Sequence, residues 1–386
     1  METFAPIVWM DTLHGILALV PLKKLKLQQI DVKGIYFNGV LKEKIYMQQS
    51  EGCEDGMDDV CQLYKTIYGL RQARHEWNRQ VDQWLWKHGY KLLLSDLCVY
   101  VRWDGNEFLI LTIWVDDILL FASSDKMMEQ MKQILQKEWT ITDLGKPTKI
   151  VGIEITCTGD SIFISQQKYI EGILWNEGML DANSMRTPMD PNIKLVPNSE
   201  ENELNWSNSF SHFLGQLQFI ANSTQPDIAY AVNRLGAYTA NPSLQYYGAL
   251  KQILRYLNGT KNLEILYQRP KNFETTENLF HGCANAAFAN ADDLKSIIGY
   301  IYLVAERAVT WRSKKQVVIV LSSTEAEYIA MSEAAQEACW LRNLYDELGF
   351  TQLLPTILKG NNKGSITMTL NPQFHQRSKH IMIWYH

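Results

Sequence analysis

The sequence predicts an α+β protein: an antiparallel sheet with helices, then a helical stretch, then a second half of α/β texture. Three observations carry this. Phe108 to Phe121 reads Phe-Leu-Ile-Leu-Thr-Ile-Trp-Val-Asp-Asp-Ile-Leu-Leu-Phe, two apolar strand arms meeting at Asp116-Asp117. Lys65 to Gly89 places Leu70, Ala73, Trp77, Val81, Trp84, Leu85 and His88 at three- and four-residue steps, one apolar stripe on a helix. From Asp181 to Leu204 the texture changes to Pro188, Pro191, Pro197, Asn and Glu, and regular patterns resume beyond it.

The 386 residues leave room for about two or three domains and ample core. A net charge of −5 sets up no overall basic field, so any nucleic-acid surface has to be local. Cys53, Cys61, Cys98, Cys157, Cys283 and Cys339 form no Cys-x-x-Cys pair, which points away from a zinc site or disulfide framework and toward reduced, intracellular thiols. The start, Met-Glu-Thr-Phe-Ala-Pro, lacks a secretory pattern, and the apolar run Gly15 to Leu22 is too short to span a bilayer. The expectation is no membrane partner.

Taken in order, Thr12 to Leu22 reads as a helix or buried segment. Gln29 to Gly39 reads as a strand that ends in a turn near Asn38-Gly39, with Asp31 inside it. Asp31 is either a strand-edge residue or a functional one. The 65–89 helix follows, with Gly89 as its stop. Lys65, Arg71, Arg74 and Arg79 alternate there with Tyr64, Tyr68 and Trp77. That pattern suits phosphates and base faces, or else is a solvated basic face over packed rings.

Ser124 or Asp125 caps a helix carrying Met128, Met131, Leu135 and Trp139. Thr148–Cys157 and Ser161–Ser165 read as a hairpin, and Gln166 to Leu180 is helical in period. After the 181–204 linker come three helical segments, Ser209–Ser223, Pro226–Thr239 and Ser243–Leu257, the third stopped by Gly259. A second junction lies near Arg269 to Asn278. Beyond it Leu279–Ala289, Ser296–Val304 and Val317–Leu321 read as strands, Ser322 to Leu348 as a long helix, Thr356–Leu358 as a strand, and Lys363 onward as a helix.

Two adjacent carboxylates repel each other and are costly to bury unpaired. Asp116-Asp117 is therefore either a hairpin tip holding two turn-formers or a site for a hard divalent cation, which carboxylate oxygens suit. An Asp in one strand, a basic-aromatic segment and an Asp pair at a hairpin are what two-metal nucleotidyl transfer needs, with two Mg²⁺ about 3.5–4 Å apart.

These residues resemble the polymerase region of copia-type long-terminal-repeat retrotransposons. Asp31-Val-Lys-Gly-Ile-Tyr-Phe-Asn-Gly39 is similar to the family's Asp-Val-Lys-Thr-Ala-Phe-Leu-Asn-Gly. Ile67-Tyr-Gly-Leu-Arg-Gln-Ala73 resembles Leu-Tyr-Gly-Leu-Lys-Gln-Ala, and Trp114-Val-Asp-Asp117 resembles Tyr-Val-Asp-Asp. Thr224-Gln-Pro-Asp-Ile-Ala-Tyr230, Ile253-Leu-Arg-Tyr-Leu257, Leu321-Ser-Ser-Thr-Glu-Ala-Glu-Tyr328 and Arg377-Ser-Lys-His-Ile381 continue the match in order along the chain.

The resemblance implies a reverse transcriptase palm with remaining fingers over residues 1–190. A helical thumb or connection over 191–272 and a degenerate ribonuclease H-like domain over 273–386 would follow. It implies Asp31, Asp116 and Asp117 as catalytic Mg²⁺ ligands, with the Val32 carbonyl as a further ligand and Mn²⁺ as a substitute ion. Tyr36, Tyr68, Gly69, Arg71 and Trp114 would contact nucleotide and template, Tyr36 lying under the sugar. The implied partners are an RNA template, a DNA primer, deoxynucleoside triphosphates and other parts of the polyprotein. The implied setting is cytoplasmic, in a virus-like particle, or nuclear.

The departures matter too. Trp114 replaces the family's tyrosine, and Arg74 replaces a proline. The first residues match a mid-domain landmark, so the expectation is a chain without the triphosphate-clamping fingers and with little extension of its own. In the ribonuclease H part only Glu327 remains of four acids, with Glu325 as the alternative; Asn285, Asn361 and Met382 occupy the other positions, and Ala287 a nearby acid. The implied activity is RNA-directed DNA polymerisation without ribonuclease H cleavage. The alternative is an inactive remnant that keeps its fold and nucleic-acid binding.

Overall fold

The structure is a computed structural model. It describes all residues except 1–4, 53–55, 57–58, 191–192, 194, 196–206, 239–241, 272–278, 292, 371–384 and 386. Two compact units emerge: Met1–Leu13 with Lys23–Pro147, and His14–Leu22 with Thr148–His386. The first helix, α1 (Met10–Lys23), contributes to both. Among the described residues no helix is long and apolar enough to cross a membrane.

In the first unit the strands are β1 (Lys26–Val32), β2 (Val40–Gln48), β3 (Val60–Lys65), β4 (Lys91–Leu92), β5 (Val99–Asp104), β6 (Glu107–Trp114), β7 (Asp117–Ala122) and β8 (Ile141–Gly145). The helices are α2 (Ala73–Lys87) and α3 (Asp125–Glu138). Six strands form one antiparallel sheet in the order β4-β5-β6-β7-β1-β8, and β2 pairs with β3 separately. Ser124 caps α3, its hydroxyl accepting from the Met127 N–H.

One face of the sheet is built by Ile30 and Val32 of β1, Leu109, Leu111 and Ile113 of β6, and Ile118 and Leu120 of β7. Trp77, Val81 and Leu85 of α2 and Met127, Met131 and Leu135 of α3 cover that face. Because side chains alternate along a strand, Gln29, Asp31 and Asp117 point to the opposite face.

The first strand is shorter than the sequence suggests. It stops at Val32, because Gly34 turns the chain at φ 62° into a 3₁₀ turn over Ile35–Asn38. Helix α2 starts at Ala73 rather than Lys65, since Lys65 ends β3 and Gly69 (φ 93°) makes the turn between them. Only backbone hydrogen bonding, not the apolar period, separates strand from helix here.

In the second unit β9 (Lys149–Ile150), β10 (Ile153–Thr158), β11 (Ser161–Ser165) and β12 (Ile265–Tyr267) form an antiparallel sheet in the order β12-β11-β10-β9. Positive φ at Val151 and Gly152 breaks what the sequence reads as one strand from Thr148. Helices α4 (Gln167–Asn176), α5 (Ser207–Ser223), α6 (Ala229–Leu235) and α7 (Leu244–Thr260) pack around Phe210, Leu217, Ile228, Tyr246, Ile253 and Leu257. Gly259 lies inside α7 rather than ending it.

Residues 191–192, 194 and 196–204 of the Pro-rich stretch lie outside the described residues. Its first part is strapped to α7, where Asn258 Nδ2 donates to the Leu180 and Ala182 carbonyls and Arg255 Nε to the Asn183 carbonyl.

The chain then forms β13 (Phe280–Ala287), β14 (Ile297–Val304), β15 (Arg307–Lys315), α8 (Ser323–Glu347), β16 (Ile357–Lys359) and α9 (Lys363–Leu370). The sheet order is β15-β14-β13-β16, with β16 parallel to β13. The strand expected at Val317–Leu321 is an irregular segment with Val317, Ile319 and Leu321 exposed. The third strand is instead the polar run Arg307–Lys315. It is joined to β14 by Ala305 and Glu306, both left-handed (φ 49° and 64°), a turn that lacks the usual Asn-Gly signature.

Gly282 on β13 faces Tyr302 on β14, whose buried ring would lie within 2.3 Å of an added Cβ. The Tyr302 hydroxyl donates to the Ala334 carbonyl of α8, so the ring has little room to retreat. Gly282→Ala is expected to lower unfolding stability by about 1–3 kcal/mol, the usual range for overpacking. Chemical denaturation with an unchanged midpoint would refute this.

Candidate functional site

The neighbouring strands β1 and β7 bring the acids together. Asp31 and Asp117 are direct partners in the β1–β7 pairing, on the face away from α2 and α3. Strands β6 and β7 close over only Val115 and Asp116, since Trp114 pairs with Asp117. The Asp116 carbonyl accepts from the Val32 N–H at 3.1 Å, which ties the turn to the residue after Asp31. The Val115 carbonyl accepts from the Trp77 indole N–H at 2.8 Å. Val115 itself has φ 59°, a region a β-branched residue rarely enters, and positive φ at the first turn residue alone is the type II′ pattern.

Gln29 Nε2 donates to Asp117 Oδ1 at 2.8 Å. Burial pushes the Asp117 pKa above the ordinary carboxylate value; the Gln29 bond opposes this, and the charges of Asp116 and Asp31 add to it. Three half-buried carboxylates sharing one field offer the hard oxygen donors that Mg²⁺ or Mn²⁺ takes, and a dication would relieve their repulsion. Their donor chemistry fits a divalent ion. Among the described residues, though, no three His, Cys, Asp or Glu side chains converge into a ready-made metal cage. Val32 has its side chain buried in the helix-covered core.

The sign of a stability effect follows. A raised folded pKa means that the Asp117 charge weakens the fold, with no penalty below the unfolded carboxylate pKa and the full penalty above the folded one. Asp117→Asn keeps an Oδ1 acceptor for Gln29 and removes the charge. In metal-free buffer it is expected to raise the melting temperature at pH 7 by a few degrees or less. The gain should vanish as pH falls through the ordinary carboxylate range. Thermal melts across pH that show a loss at pH 7 would refute this.

An aromatic step follows β1 along the chain. Tyr36 is buried at 8% exposure, with Tyr68 edge-on to it at 4.7 Å between ring centres. Tyr68 also meets Phe37 and is itself exposed, as are Gly69 and Arg71. Arg74 Nε donates to the Tyr36 hydroxyl at 3.4 Å, and Thr66 Oγ1 donates to the Tyr36 carbonyl. Trp114 is half-buried at the end of β6. Sequence reasoning missed Gln29 and the polar use of Trp77. Gln29 is two residues from Asp31 and so shares its face, a signal that was available. Trp77 sits in the apolar stripe and gave no sign that its N–H serves another element.

In the second unit Glu327 of α8 is buried at 6% exposure. Burial raises its pKa, against a backbone hydrogen bond from Ala286. Asn285 and Asn361 are exposed and line one cavity of about 660 Å³ with Ala287, Gly299, Arg312 and Lys359. Among the described residues no carboxylate lines that cavity. Met382 and Asp292 lie outside the described residues. Burial pushes the Asp293 pKa up, but hydrogen bonds and charge from Lys315 and Lys295 win and hold it low. Its Oδ2 is 3.0 Å from Lys315 Nζ.

Residues 1–191 match the family described as reverse transcriptase (RNA-dependent DNA polymerase). The mixed α+β architecture with antiparallel sheets accords with that class. The chain is 34% identical, over its whole length, to the retrovirus-related Pol polyprotein from transposon TNT 1-94 of Nicotiana tabacum, of which it spans 29%. It is 32% identical over its whole length to the Pol polyprotein from transposon RE1 of Arabidopsis thaliana, spanning 26% of it. It is also 32% identical to a transposon Ty5-1 protein of Saccharomyces cerevisiae, with 80% of this chain and all of that protein aligned. The chain belongs to the copia-type retrotransposon Pol family and carries its reverse transcriptase region.

Proposed function

We propose that the chain is the part of a Pol polyprotein that extends a DNA primer on an RNA template, extending little by itself, with residues 1–190 as a palm and remaining fingers and 191–272 as a thumb or connection. The observation that supports this best is the direct pairing of Asp31 with Asp117, beside the Asp116 turn. Asp31, Asp116 and Asp117 would hold two Mg²⁺ ions, which when bound acidify the primer 3′-hydroxyl and neutralise triphosphate charge. Tyr36, braced edge-on by Tyr68, would lie under the deoxyribose. Exposed Tyr68, Gly69 and Arg71 offer a base-stacking ring, an open backbone and a guanidinium for nucleotide and template. The setting proposed is intracellular, in a virus-like particle or the nucleus, with other parts of a Pol polyprotein.

We further propose that residues 273–386 form a ribonuclease H-like domain that does not cleave RNA. Asn285 and Asn361, on a cavity without carboxylates, support this. They also favour a second reading, a remnant that retains its fold and nucleic-acid binding but no catalysis. RNA-templated primer extension with Mg²⁺ separates the two. Extension lost in Asp116→Asn supports the polymerase. Primer–template binding without extension by the unaltered chain supports the remnant.

A further inference from the structure

We infer that Trp77 is a positioning residue for the acid hairpin. Through the Val115 carbonyl, its indole N–H holds the turn that aims Asp116 at Asp31 and Asp117. This rests on reading those three acids as a divalent-metal site.

The turn is unusual in what it asks of its first residue. Val115 is left-handed (φ 59°), where the branched Cβ crowds the backbone. Such a conformation persists only if its surroundings over-determine it. Two hydrogen bonds do so here, one to each turn carbonyl. The Asp116 carbonyl is held by the Val32 N–H, from the strand that carries Asp31. The Val115 carbonyl is held by Trp77, from a helix.

Trp77 is well placed to act as a fixed point. It is 2% exposed and packs edge-on against Trp139, with ring centres 5.3 Å apart. Its ring is therefore held by core contacts, while its one polar atom is spent on the turn. Val115 packs against the same core, so a turn that relaxed would withdraw an apolar side chain as well as the carbonyl. The Val32 bond fixes one turn carbonyl from the sheet, and the Trp77 bond fixes the other from a helix. With the turn free, Asp116 would sample orientations that lead away from the shared ion.

Trp77→Phe removes the N–H and keeps most of the ring. Val115→Gly removes the cost of positive φ, so that the turn holds its shape without the indole. Mn²⁺ binding by the full chain, read from the electron paramagnetic resonance signal of free Mn²⁺, and metal-free melting temperature form the assay. Trp77→Phe is expected to weaken Mn²⁺ binding by about 10- to 100-fold, the range for residues that orient metal ligands. Most of that loss should be recovered in Trp77→Phe with Val115→Gly.

Circular dichroism of each variant checks that the fold is kept, and Asp117→Asn is the control for the site. If Asp117→Asn weakens Mn²⁺ binding and Trp77→Phe does not, the clamp is overturned alone. The same holds if Trp77→Phe lowers binding equally in both backgrounds, which is what a purely structural ring would do. If the unaltered chain binds no Mn²⁺, or Asp117→Asn changes nothing, the metal reading beneath it falls.

Discussion

Asp31→Asn, Asp116→Asn and Asp117→Asn are each expected to lower Mg²⁺-dependent, RNA-templated primer extension by about a thousandfold or more. An amide has nearly the shape of a carboxylate and still offers one oxygen, so the fold and the Asp31–Asp117 strand pairing survive the change. What is lost is charge. In the proposed reaction the site would hold two dications against water and a triphosphate against the same acids, so each missing negative charge would weaken ion binding and the electrostatic support of the transition state together. Because the three acids act as one unit, a double substitution should cost little more than a single one. Substitutions at the exposed Tyr68 or Arg71 should behave differently, raising KM for nucleotide or template with a smaller effect on kcat. Steady-state extension kinetics check all of this. Extension that survives Asp116→Asn would remove the polymerase proposal.

The Phe108–Phe121 hairpin was open to sequence reading because each arm is apolar enough to be buried on both faces, and Asp116-Asp117 interrupts the run where a turn must lie. The long helix was equally plain, read as Ser322 to Leu348 and found as Ser323–Glu347. The neighbourhood of Asp31 was not encoded locally. Nothing near residue 31 states that it pairs with residue 117, and only the resemblance of the motifs suggested it. The third strand of the later sheet was missed for a related reason. Arg307–Lys315 carries Arg307, Arg312, Lys314 and Lys315, so its strand character comes from pairing with β14 rather than from apolar alternation. The exposed Val317–Leu321 run drew the assignment instead. Val115 shows the same limit at one residue. Val is a poor choice for positive φ, and the conformation is held by hydrogen bonds to the two turn carbonyls, one of them from a distant helix.

Residues 273–386, proposed above as a ribonuclease H-like domain, are expected to leave the RNA strand of an RNA–DNA hybrid intact in Mg²⁺ and in Mn²⁺. The family motif asks for four carboxylates around the scissile phosphate. Among the described residues at those positions only Glu327 is one, and it is buried at 6% exposure. Asn285 bends its side-chain oxygen onto the adjacent Ala286 N–H, which leaves that oxygen partly engaged. Asn361 is neutral, and the cavity the two asparagines share has Arg312 and Lys359 on its wall, which repel a dication. Asp293 is no reserve ligand, since it is occupied by Lys315 and Lys295. One carboxylate cannot offset two dications, and an amide oxygen contributes no charge. The fold does not depend on the lost acids, because β13, β14 and α8 are joined by Tyr302, Phe280 and Tyr345 in an apolar interior. Removing clustered like charges also relieves repulsion. Hybrid cleavage resolved on a denaturing gel is the measurement. Cleavage above background that disappears in Glu327→Gln would show that a working metal site persists, and with it that the polar residues around Glu327 suffice where the family uses acids.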